Sequence, residues 1–105
     1  MVLKAEPRFR KRIPCRIWIG KSSYSGIVLN LSRQGMFVQT CAGTKTGDWI
    51  GLKIRGDIDV QVQVVWQKRV PQALRSSTEG GVGVHIVGAP EGYYQLLADV
   101  AGIRA

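Results

Sequence analysis

At 105 residues the chain is long enough for one domain with a hydrophobic core and too short for two. Fifteen Lys and Arg against seven Asp and Glu give a formal net charge of +8, which points to an anionic partner such as nucleic acid, a nucleotide, an acidic protein or anionic lipid. No apolar run reaches the roughly 18 residues of a membrane helix, and Met1–Pro7 lacks the apolar core of an export signal, so a cytoplasmic protein is expected. Cys15 and Cys41 lie far apart without the close pairing of a zinc or redox motif and read as buried free thiols, which fits a reducing compartment.

Residues 1–12 mix charge, Pro7 and Phe9 without sustained periodicity and read as a basic arm that is flexible until an anion orders it. The barrel domain is expected over 13–105. From Ile13, the residues Ile13, Cys15, Ile17 and Ile19 alternate with Pro14, Arg16 and Trp18, the period of two that makes one face of a strand apolar. Pro14 suggests an edge or a strand start. After the turn Gly20-Lys21-Ser22, the pattern puts Ser25, Ile27, Leu29 and Leu31 on one face of a second strand and Tyr24, Gly26, Val28 and Asn30 on the other.

Ser32–Gly35 form the next turn, and Met36–Thr40 a third strand rich in residues that suit a pleated surface. Cys41–Gly47 has the composition of a loop, and Trp49–Arg55 alternates again. Gly56-Asp57 signals a turn. The longest alternation follows, with Ile58, Val60, Val62, Val64 and Trp66 on one face. Pro71–Gly81 reads as an exposed loop, Val82, Val84 and Ile86 as a last strand face, and Tyr93, Leu96, Leu97 and Val100 fall at helical spacing between Pro90 and Gly102. Six short strands with no helix between them exclude parallel crossovers. The expected fold is all-β: a six-stranded antiparallel β-barrel with a short C-terminal α-helix.

Catalysis has little material. His85 stands alone in a Val-rich strand, and the acidic residues are scattered, so neither a Cys-His pair, a carboxylate pair nor a metal cage is expected. The chain reads as a non-enzyme without a metal or cofactor. Phosphate recognition is better supplied. Arg8, Arg10 and Arg12 offer planar guanidinium groups that bind phosphate bidentately, stack on a base or grip the O6 and N7 edge of guanine. Asn30 can pair with a base edge, Ser32 supplies a hydroxyl, and Gly35 lets backbone pass close to a ligand.

The spacing Arg8-x-x-x-Arg12 followed by Ile-Pro, then Asn30-x-Ser32-x-x-Gly35, then Gly81-Val-Gly-Val-His-Ile, resembles the PilZ domain, a family of bacterial receptors for the second messenger cyclic di-GMP. The resemblance covers nearly the whole chain. It implies a six-stranded antiparallel barrel with the ligand at its surface under the N-terminal arm. Arg8 and Arg12 match the family's two arginines, which are expected to hold guanine and phosphate, while Asn30, Ser32 and Gly35 match its second motif, with Asn where Asp is more frequent. Arg10, Lys11 and Arg33 are auxiliary candidates, and Gly81–Val84 reads first as a structural strand signature. The function implied is a non-enzymatic switch that binds cyclic di-GMP and changes what a partner protein meets. Two other readings stand beside it: a basic barrel that binds nucleic acid on Trp18, Trp49 or Tyr24, and an adaptor of the same fold acting only through protein contacts.

Overall fold

The computed structural model describes residues 8–40, 44–68 and 80–102. Six strands and one helix follow in order: β1 (Phe9–Ile19), β2 (Ser22–Leu31), β3 (Gly35–Gln39), β4 (Trp49–Ile54), β5 (Ile58–Lys68), β6 (Gly81–Gly88) and α1 (Glu91–Ala101). The strands close into a barrel in the order β1-β2-β3-β6-β5-β4, every pairing antiparallel. Closure leaves no sheet edge. The expected fold class is therefore the observed one. Of the loops read at Cys41–Gly47 and Pro71–Gly81, residues 41–43 and 71–79 lie outside the described residues, and Gly81 already opens β6.

Alternation builds the core where the ladder is regular. Ile13, Cys15 and Ile17 face inward and Pro14, Arg16 and Trp18 outward along β1, and Val60, Val62 and Val64 supply the interior of β5. Each fully buried aliphatic side chain contributes about 1.5–3 kcal/mol. The β4–β5 hairpin turns on Arg55 (φ 56°) and Gly56 (φ 81°), with Asp57 N–H donating to the Ile54 carbonyl at 3.3 Å. Two successive positive φ values give the strand twist that a two-residue hairpin requires. The turn thus centres one residue earlier than Gly56-Asp57.

Helix α1 closes the chain. Pro90 is its extended N-cap, and Gly102 (φ 77°) ends it in the left-handed conformation, its N–H reaching the Ala98 and Asp99 carbonyls. Tyr93, Leu96 and Leu97 are buried, and the helix packs against β1 and β5. A helical apolar stripe and its stop are what the spacing predicted.

Three expectations are corrected. β1 begins at Phe9, not Ile13: Phe9 packs against the core opposite Leu31, and Arg10 pairs with Asn30. Residues 9–12 are thus part of the barrel wall, and only 1–7 of the expected arm lie outside the described residues. In β2, Val28 and Leu31 both enter the core, because Leu29 is an extra residue between the pairs Val28↔Val38 and Asn30↔Phe37. In β5, Trp66 leaves the inward face because Val65 is an extra residue between Val64↔Val84 and Trp66↔Gly83. A bulge of one residue reverses the facing of everything beyond it.

Candidate functional site

The bulges meet on one wall of the barrel. Where β1 passes β2, Lys11 and Arg12 together oppose Leu29, between the pairs Arg10↔Asn30 and Ile13↔Val28. Leu29 is turned out of the core cluster, as is Phe37, although both are buried. Arg8, Arg10, Lys11, Arg12, Leu29, Asn30, Phe37 and Trp66 line an open cleft of about 700 Å³, within the range of small-molecule sites. Four of its lining residues are cations and none is acidic.

The two sequence motifs touch at its rim. Arg8 Nη1 donates to Asn30 Oδ1 at 2.5 Å, which leaves the Asn30 amide nitrogen as a donor for another group. Arg8 Nη2 also lies 3.4 Å from where a Cβ on Gly35 would be. The guanidinium thus rests against a bare backbone, and any side chain at Gly35 would also press on the Val84 carbonyl at 2.7 Å. Glycine is required here for close approach.

Ser32 has a different place from the one its residue type suggests. Its hydroxyl accepts from Gly35 N–H at 3.2 Å and lies 3.2 Å from the Gly35 carbonyl, while Ser32 N–H donates to that carbonyl at 2.8 Å. The side chain is buried and closes the Ser32–Gly35 turn from inside. Tyr93 of α1, fully buried, donates its hydroxyl to the Ser32 carbonyl at 2.6 Å. The helix therefore anchors the turn that follows Asn30.

Leu29, Phe37 and Trp66 form the apolar floor that the sequence reading did not include. The Trp66 and Phe37 rings stack with centroids 5.1 Å apart and planes 16° from parallel, and Trp66 stays 47% exposed. The indole lies across Gly83, where any Cβ would overlap it. Their signal was the runs Ile27-Val28-Leu29 and Val64-Val65-Trp66, three apolar residues that a two-fold alternation cannot place on one face. Gly81 likewise passes against the Val38 carbonyl, too close for any side chain.

Arg33 is exposed outside the cleft, its guanidinium 6.0 Å from the centroid of the Tyr94 ring. His85 is exposed opposite Gly35. Cys15 is a buried free thiol whose pKa burial pushes up to about 11, the inert side of thiol chemistry; Cys41 lies outside the described residues. Among the described residues no group of His, Cys, Asp and Glu is placed to hold a metal ion, and no helix is long and apolar enough to cross a membrane.

A family model for the PilZ domain matches residues 3–101. The chain belongs to the PilZ domain family. PilZ domains are receptor domains of cyclic di-GMP signalling and are generally non-enzymatic. Among solved structures, the inhibitor of motility MotI/DgrA of Bacillus subtilis is similar, with a TM-score of 0.72 at 16% identity over 92% of this chain and 48% of that one. The likeness is one of fold, and this PilZ domain spans about half the length of that protein. No curated protein matches the chain.

Proposed function

We propose that this PilZ domain is a non-enzymatic, cytoplasmic receptor for cyclic di-GMP, bound in the cleft lined by residues of β1, β2, β3 and β5. The observation that carries the reading is the Arg8–Asn30 hydrogen bond, through which both motifs meet over a cleft with four cations and an aromatic floor. Arg8 and Arg12 grip guanine and phosphate, since guanidinium groups bind both in planar, bidentate fashion. Asn30 donates to a base edge, Gly35 admits the ligand close to backbone, and Ser32 holds the turn in which both act. Trp66 and Phe37 offer a flat apolar surface against which a base stacks. Ligand bound over this wall changes the surface that a partner protein meets, which is the switch.

Calorimetric titration with cyclic di-GMP tests the reading. Replacing Arg8 or Arg12 by Ala is expected to cost roughly 2–4 kcal/mol of binding while the barrel stays folded. Unchanged affinity in both variants, or competition by unrelated oligonucleotides with a steep salt dependence, would overturn it.

A further inference from the structure

Two cations in the cleft are left over once the motifs are accounted for. Arg10 and Lys11 are exposed, both line the cleft, and among the described residues neither side chain has a hydrogen-bonding or ionic partner. Arg8, by contrast, is held by Asn30. The backbone makes a specific effort to place Lys11 there. In an unbroken strand Lys11 would share the face of Phe9 and Ile13, both packed on the core. The bulge at Lys11 and Arg12 opposite Leu29 lets it line the outer cleft instead, so Arg10, Lys11 and Arg12 all serve one surface.

We propose that Arg10 and Lys11 form a second anion seat in the cleft, beside that of Arg8 and Arg12, so that a ligand with two phosphates is held at both. This rests on the cyclic di-GMP reading and deepens it. The guanidinium of Arg10 suits paired phosphate oxygens, and Lys11 supplies a compact charge beside it. With no acid lining the cleft, neither cation must give up an ion pair there to bind. A single-seat cleft would instead gain from these residues only the general field that any nearby cation provides.

A charge-matched control separates contact from field. In calorimetric titrations of the full chain with cyclic di-GMP, Lys11→Ala and Arg10→Ala are each expected to weaken binding about 10-fold or more, as truncated charge-assisted hydrogen bonds do. Lys21→Ala removes the same charge from the turn at the far end of β1, roughly 25 Å along the strand and well beyond screening range. It should change affinity less than about twofold. Lys11→Arg should restore most of the loss. If Lys11→Ala and Arg10→Ala behave like Lys21→Ala, the second seat is refuted while the receptor reading stands. If the wild-type chain shows no heat with cyclic di-GMP, both fall.

Discussion

Tyr93→Phe isolates the tie between helix α1 and the site turn, because it removes one oxygen and keeps the ring. The Tyr93 hydroxyl is fully buried and donates to the Ser32 carbonyl at 2.6 Å. Apolar burial is unchanged in the variant, so the loss is that of a buried acceptor left without this donor, about 1–3 kcal/mol. In a domain of this size ~2 kcal/mol lowers Tm by roughly 10 °C. Urea unfolding and thermal scans measure the global effect. Hydrogen exchange at the Ser32 and Gly35 amides, which bond within the turn, measures the local one and should accelerate beyond the global change. Tyr94→Phe is the control: Tyr94 is exposed, and its variant should stay within about 0.5 kcal/mol of wild type. Equal stability of Tyr93→Phe and wild type, with unchanged exchange at both amides, would refute the anchoring argument.

Gly81→Ala should destabilise by about 3 kcal/mol, because its Cβ meets the Val38 backbone, whereas Gly83→Ala meets the half-exposed Trp66 ring, which can swing aside for about 1 kcal/mol. Denaturant titration checks the order, and a shift in tryptophan emission should accompany only Gly83→Ala. Cys15 contributes to stability that depends on pH: its pKa is about 11 folded against 9.0 for the ordinary thiol, so the unfolded chain loses its proton first and the contribution, complete below pH 9, is lost as pH rises toward 11. Between pH 8 and 10.5 the wild type should therefore lose about 2 kcal/mol more than Cys15→Ala in urea unfolding.

What was legible in the sequence is what depends on local period. The inward faces of β1 from Ile13 to Ile17 and of β5 from Ile58 to Val64, and the stripe Tyr93, Leu96 and Leu97 of α1, follow from spacing alone. The motif residues Arg8 and Asn30 were also legible, and they are in contact. What was not legible depends on a partner strand. Leu29 is an extra residue only by comparison with β3, and Val65 only by comparison with β6. The aromatic floor is a consequence of those comparisons, and the outward turn of Lys11 is one of the comparison of β1 with β2. The turn-closing bonds of Ser32 were not legible for a related reason: a serine between Asn30 and Gly35 has the same residue type whether its hydroxyl faces a ligand or closes a turn.

The bulge in β5 can be removed without moving what it places. Val64 and Val65 are adjacent and identical, so deleting either produces one and the same chain. The remaining valine takes the core slot opposite Val84, and Trp66 stays opposite Gly83, now as the next residue in an unbroken alternation. The side chain lost is the half-exposed one of Val65, so the stability cost should be about 1 kcal/mol or less, from the changed twist alone. Trp66 emission and cyclic di-GMP affinity should stay near wild type. Deleting both valines makes the opposite change, since Trp66 would then follow Gln63 and fall in the core slot opposite Val84, and it should abolish both. If the single deletion destroys the Trp66 environment as thoroughly as the double one, the position of Trp66 in the alternation is not what sets the facing of the cleft floor.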